Sequence, residues 1–306
     1  MSAKNQGGIG GSDIAALAGC HPYKTAADVY ARIVTNVEPI ADNTRMALGR
    51  AMEGHIIDEY AKGKGLDPAT FERLVEIQDS KQLWRRGELD AISSDRKLAL
   101  DAKLVVSPRQ FARWGEVGSD QVPDEYLLQA HWYQALAGTD LCVIVAFIEG
   151  DLREYEIPRD REIEGQLIEI GERFWRDHVE KKVPPTLTGC APETLRSLFP
   201  RNARPLREAT PAEVEAFQNL AGARADKDSA EEREDTFKAQ LQASIADAEG
   251  IQCPLGKITW KNNKDGQATD WQAVALALKA PQELIKQHTV TKPGARVFRF
   301  NLAKEK

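Results

Sequence analysis

The run LCVIVAFIE at residues 141–149 constrains the fold of this chain more than any other stretch. A strand with one face in water alternates apolar and polar residues. A strand that is apolar along its length belongs to a sheet covered on both faces. The turn GD and the stretch LREYEIP follow at once, which makes a hairpin. A second hairpin is expected upstream, where LWRRGELDAI, the polar turn SSDRK and LALDAKLVV succeed one another after the strand-like ERLVEIQ. Helical patterns surround these strands. GGSDIAALAGC reads as a short helix with Ser12 as N-cap, and KTAADVYARIV as a second one capped by Thr25. Residues 43–62 repeat Met46, Met52, Ile56 and Tyr60 at helical spacing, DEYLLQAHWYQALAG forms a further helix, and another runs from 161 to about 182. Helices, strands, helix, strands, helix is the order of an α/β core with a mixed central sheet flanked by helices.

The chain has 306 residues, enough for one large core or a core with an appendage. The Pro-rich stretch after Val183 marks a boundary. The expected organisation is a domain over 1–185, a linker over 186–207 and a C-terminal extension over 208–306. That extension is helical and then small-β in character. Its first part, 208–249, holds 11 acidic and 4 basic residues, and is read as a helix, a helical hairpin or a coiled segment. Residues 251–306 hold 10 basic and 4 acidic residues, so the basic α/β segment 250–306 offers a surface for DNA or for an acidic protein. There Trp260, Trp271, Phe298 and Phe300 are interleaved with Lys257, Lys261, Lys264, Arg296 and Arg299. The aromatics are expected to form the core of a small β subdomain built from GKITWK, RVFRFNL and a helix starting near Asp270. The overall charge of −6 argues against indiscriminate nucleic-acid binding but not against local basic patches. No stretch approaches the roughly 20 apolar residues of a membrane helix, and the first residues lack a signal-peptide core. A soluble, cytoplasmic protein is the expectation. Cys20, Cys142, Cys190 and Cys253 are scattered and form no CxxC pair, which excludes the usual zinc and four-cysteine cluster spacings.

Chemistry concentrates on the second hairpin. Side chains alternate across a strand, so Asp101 and Lys103 share one face of LALDAKLVV while Leu98, Leu100, Ala102 and Leu104 take the other. The hairpin brings Asp90 close to Asp101. Two close carboxylates repel unless one is protonated or a divalent cation lies between them. A cation held there polarises a phosphodiester, and Lys103 can orient or deprotonate water or stabilise phosphate charge. An exposed Asp101–Lys103 ion pair of little consequence is the plainer alternative. Glu53 on the helix before the sheet and Gln129 on the helix after it, each by itself an ordinary surface residue, complete the order Glu, Asp, Asp-x-Lys, Gln.

That order resembles the lambda-exonuclease type of phage recombination nuclease, in the YqaJ-like branch of the PD-(D/E)XK superfamily. The resemblance rests on GIGGSDIAALAGCHPYKTAADVY, LGRAMEGHIIDEYAK, GELDAISSDRKLALDAKLV and YLLQAHWYQALAG, with REYEIPRDREIEGQLIEIGERFWRDHVEKKVPP as a weaker block, together spanning 8–185. It implies a PD-(D/E)XK core. It also implies a Mg²⁺-dependent exonuclease, with Mn²⁺ as substitute and two ions bound, that degrades linear duplex DNA 5′ to 3′ and leaves 3′ tails for strand annealing. Asp90, Asp101 and the backbone carbonyl of Ala102 would bind metal. Lys103 would be the catalytic lysine, Glu53 would sit beside the metals through water, and Gln129 would position water or phosphate. Ser12 would hold a 5′-phosphate. A homo-oligomeric ring, with a trimer as one form, a single-strand annealing partner and a phage or prophage origin in a bacterial host are also implied. An endonuclease of restriction or repair type on the same fold is the alternative, and an inactive DNA-binding scaffold a further one. The sequence departs from the pattern at Glu88, where a phosphate-contacting serine is expected, at Asp101, where Glu is frequent, and at His131, which replaces a second glutamine and reads as packing.

Overall fold

Strand β4 (Leu141–Ile148) runs through the middle of the chain's largest hydrophobic cluster, and its apolar run is buried on both faces. The computed structural model describes residues 7–35, 43–262, 271, 278–279 and 281–287. Within them the chain divides into two compact units, Met1–Pro200 and Arg201–Lys306.

In the first unit, α1 (Gly11–Leu17), α2 (Ala26–Val34) and α3 (Thr44–Gly63) precede β1 (Phe71–Gln78), β2 (Arg86–Ser93) and β3 (Leu98–Val105). The short α4 (Pro108–Phe111) and then α5 (Asp124–Ala137) cross to β4, which turns into β5 (Asp151–Pro158) and α6 (Arg161–Phe174). The sheet order is β1-β2-β3-β4-β5; β3 and β4 are parallel and every other pair is antiparallel. This is the expected α/β class with a mixed sheet flanked by helices. Cys142, Ile144, Ala146 and Ile148 of β4 join the cluster that holds Ile14 of α1, Trp132 of α5 and Leu167 of α6. Val143 and Val145 point the other way, with Leu100 and Ala102, onto Ile56, Ile57, Tyr60 and Ala61 of α3.

Local chemistry explains most element ends. Thr25 caps α2 as expected: it accepts from the Asp28 N–H, and the Asp28 carboxylate accepts from the Thr25 N–H. Asn43 accepts from the Met46 N–H at the start of α3. Gly138, at φ 75°, ends α5 in the left-handed region that favours glycine. Ser12 is not the N-cap of α1. Gly10 holds that position, and its N–H donates to buried Asp13, so the carboxylate two residues into the helix does the work expected of the serine. Beyond α6, residues Trp175–Glu180 continue as a wider π-helical segment. The stretch expected to be a linker contains α7 (Pro192–Leu198), tied to α2 through Asp28, which accepts from the Ala191 N–H and the Thr194 hydroxyl. A Pro-rich sequence still forms a helix here because its proline sits in the first turn, where no N–H is needed.

In the second unit, residues expected as helix, hairpin or coiled segment form one 35-residue helix, α8 (Pro211–Ile245), with a Thr210 capping box. A two-stranded hairpin follows, β6 (Gly250–Cys253) and β7 (Gly256–Thr259). Trp260 and Trp271 are exposed. Lys264, Arg296, Phe298, Arg299, Phe300 and the helix start near Asp270 lie outside the described residues. Among the described residues no helix is long and apolar enough to cross a membrane.

Candidate active site

The β2–β3 ladder pairs Ile92 with Ala99 and Ala91 with Leu100, then stops. The next positions in register are Asp90 and Asp101, as the hairpin reading expects. There the Asp90 carboxylate replaces the missing ladder and accepts the Ala102 N–H at 2.8 Å. A strand residue points its N–H and C=O to the same side. The Ala102 carbonyl therefore also faces the opened gap between β2 and β3.

A second irregularity lies on the other side of Asp90. The β1–β2 register runs unbroken except at Leu74, opposite Asp90, which has φ 49°. A leucine in that region is strained. Leu89 packs in the cluster on the α5 face of the sheet and Ala91 in the cluster on the α3 face, so β2 turns over at Asp90. Strict alternation does not anticipate this.

On β3 the alternation holds. Asp101 and Lys103 lie on the face of Ala99 and Val105, toward α5, and Leu100 and Ala102 lie toward α3. Asp101 is 2% exposed. Its Oδ2 is 2.7 Å from Lys103 Nζ, an ion pair without well-directed hydrogen-bond geometry. Its Oδ1 accepts from Gln129 Nε2 at 3.4 Å, and the same amide donates to the Tyr133 hydroxyl at 2.9 Å. Lys103 Nζ also stands 4.9 Å from the ring centre of Tyr126, a cation–π contact. Burial of this pair rules out the plain exposed ion pair.

The electrostatics follow from burial and crowding. Burial, and then the Asp101 charge, push the Asp90 carboxyl up to about 7, against the opposing effects of Lys103 and the Ala102 N–H. Burial works to lower the proton affinity of Lys103, but Asp101 and Asp90 outweigh it, so the ammonium is held above its ordinary range. Glu53 of α3 feels the same field. Burial raises its carboxyl, Lys103 and Arg50 oppose, and Asp101 and Glu88 add to the rise.

Among the described residues no group of three His, Cys, Asp or Glu side chains is spaced to hold an ion by itself. Asp90, Asp101 and the Ala102 carbonyl nevertheless offer hard oxygen donors around one gap, and two carboxylates that resist joint ionisation fit a divalent cation that keeps several waters. Glu53 lies within the electrostatic field of Asp101 and Lys103. His131 is buried toward Gln134, Asp160 and Glu164 and takes no part. Ser12 is exposed at the start of α1, beside Gly11. The anion at that helix start is Asp13, ion-paired with Lys24 and Arg32.

Two residues escaped the sequence reading as site components: Tyr126 and Tyr133. Both recur with Gln129 at helical spacing on α5, so helical geometry alone sets them on one face. Tyr133 fits only because its neighbours are glycines. A Cβ on Gly11 would lie 2.6 Å from its ring, and one on Gly87 2.9 Å.

Residues 3–140 match the model of the YqaJ-like viral recombinase domain. The chain is also similar to an alkaline exonuclease from Laribacter hongkongensis, with 15% identity over 59% of this chain and 92% of that one and a TM-score of 0.48. The same exonuclease in complex with dAMP gives 16% identity, 58% and 91% coverage and a TM-score of 0.48. A phage-related exonuclease from Haemophilus somnus 129PT gives 15% identity, 57% and 96% coverage and a TM-score of 0.41. No curated protein sequence matches the chain.

Proposed function

We propose that this chain is a metal-dependent deoxyribonuclease that degrades linear duplex DNA from an end, acting in phage-type recombination. The single observation that carries the reading is the set of buried Asp101 with half-buried Asp90 and Lys103 at the point where the β2–β3 ladder opens. Asp90, Asp101 and the Ala102 carbonyl are the metal ligands, with Glu53 acting through water. Mg²⁺ suits the donor set best, with Mn²⁺ as substitute, and when bound it polarises the phosphodiester and acidifies water. In the metal-free protein Asp101 and Asp90 hold the Lys103 ammonium above its ordinary range, and its role is to stabilise charge building on the phosphate. Gln129, fixed by Tyr133, aims its amide at the same place. Ser12 is the residue assigned to a terminal 5′-phosphate. The finer reading is digestion 5′ to 3′ with two ions, leaving 3′ tails for an annealing protein, by a ring-shaped homo-oligomer in the cytoplasm of a bacterial host.

The test is digestion of linear and covalently closed duplexes of one sequence with Mg²⁺. Linear DNA is expected to be consumed and closed circles to survive; equal cutting of both would move the protein to the endonuclease class. End-labelled substrates differing only in the 5′-phosphate then report polarity and the role of Ser12.

Packing around Tyr133 gives a second expectation. Gly11→Ala drives a methyl into its ring and displaces Gln129, whose Cγ lies 3.0 Å from the same point. Cleavage is expected to fall on the order of 100-fold, the scale of a misplacement near 1 Å. The far-UV circular dichroism spectrum should be retained. Full activity in this variant would remove Gln129 from the site.

A further inference from the structure

The loop between α1 and α2 presents an aromatic side chain that packing does not explain. Tyr23 is 82% exposed, the most exposed aromatic ring of the first unit among the described residues. The loop holding it is not loose. The Tyr23 N–H donates to His21 Nδ1 at 3.1 Å, and the two rings meet edge to face at 6.5 Å. That bond requires His21 to be neutral, in agreement with burial and Lys24 holding its proton affinity down. Lys24 anchors the loop to buried Asp13 on α1, and Thr25 begins α2.

Two structural chains connect this loop with the candidate site. Asp13 belongs to α1, whose Gly11 packs on Gln129 and Tyr133. On the other side, Arg113 grips Glu125 at the start of α5 through two bonds of 2.6 Å. The next residue is Tyr126, whose ring lies under Lys103 and against Trp114. His21 lies within the field of Glu125, Asp13 and Arg113, and Arg113 within that of Tyr23. The ring pair thus stands at the end of two chains of contacts that reach Gln129, Tyr133 and Lys103, with charges of both signs around it.

We propose that the His21–Tyr23 pair is a stacking platform for an unpaired base at the end of the DNA strand that enters this site. The proposal rests on the nuclease reading. A rigid exposed ring offers a π face to any base regardless of sequence. Duplex DNA covers its base faces except at an end, so the platform engages frayed or terminal bases and adds to end preference.

The experiment uses the full chain with Ca²⁺ in place of Mg²⁺, and duplexes carrying 2-aminopurine at the terminal or a single-stranded position. Anisotropy reads binding, and quenching of the probe reads stacking. Tyr23→Ala is expected to weaken binding about 5- to 150-fold and to remove the quench, while Tyr23→Phe keeps both. With Mg²⁺, Tyr23→Ala should raise KM and leave kcat at saturating DNA unchanged. Unaltered binding and quenching in Tyr23→Ala overturns the platform, as does a Tyr23→Phe loss as large as that of Tyr23→Ala, which would mean a hydroxyl contact. Failure of the nuclease reading shows separately: the unaltered chain would quench the probe and yet cut nothing with Mg²⁺.

Discussion

Replacing Asp101 with alanine is expected to abolish cleavage, by at least about 10³-fold, the upper range for removal of one preorganised hydrogen-bond donor, because a charged metal ligand contributes more than a neutral donor. The loss should exceed that of any other single change in the site, because Asp101 has three partners. It faces Asp90 across the opened ladder, pairs with Lys103 at 2.7 Å and accepts from Gln129 at 3.4 Å. Its removal also leaves the Lys103 ammonium buried with only Asp90 and a tyrosine ring beside it. Breaking one side of a buried pair typically costs about 3–5 kcal/mol, and Tyr126 and Asp90 recover part of that here. Asp101→Ala should therefore be less stable than the parent in urea titrations, whereas Asp101→Ala combined with Lys103→Met should regain stability without regaining activity. An Asp101→Ala chain that still cut DNA would remove β3 from the chemistry.

The second large effect concerns pH. The Asp90 carboxyl is raised to about 7, first by burial and then by Asp101. In the unfolded chain an aspartate ionises near 3.9. Between those values the metal-free folded protein holds a proton that the unfolded chain has lost, so this group's contribution to stability declines as pH rises from about 4 to about 7 and is flat above. Asp90→Asn keeps a carbonyl to accept the Ala102 N–H and carries no charge. It is expected to be more stable than the parent at pH 8, on the order of 1–3 kcal/mol, and equally stable at pH 4. The same proton competes with a cation. Mg²⁺ affinity should climb about tenfold per pH unit below 7 and level off above it. Calorimetric titration at several pH values checks this, and a pH-independent affinity would mean that Asp90 is not a ligand.

Much of the site was legible in the sequence because it rests on strand geometry. Alternation puts Asp101 and Lys103 on one face whatever the rest of the fold, and the SSDRK turn between two runs sets Asp90 opposite Asp101. The apolar run of β4 required cover on both sides, and two clusters supply it. Errors arose where competing polar groups were equally plausible from sequence. Ser12 and Asp13 both suit a helix start; Asp13 prevails because Lys24 and Arg32, 11 and 19 residues away, compensate its burial. Pro192 read as part of a linker, but Asp28, more than 160 residues earlier, supplies the hydrogen bonds that dock α7.

The sequence by itself thus determined the strands, the shared face of Asp101 and Lys103 and the nearness of Asp90 to Asp101, since a period of two and a short turn are local properties of the backbone. Only the tertiary structure decided that the β2–β3 ladder stops at those residues and that Asp90 takes over the Ala102 N–H. It alone placed the Gln129 amide on Asp101 and the Tyr126 ring on Lys103. Those contacts depend on how closely α1 and α5 approach the sheet. That approach is set by the space around Tyr133 at Gly11 and Gly87, residues 122 and 46 positions before it, which no local period encodes.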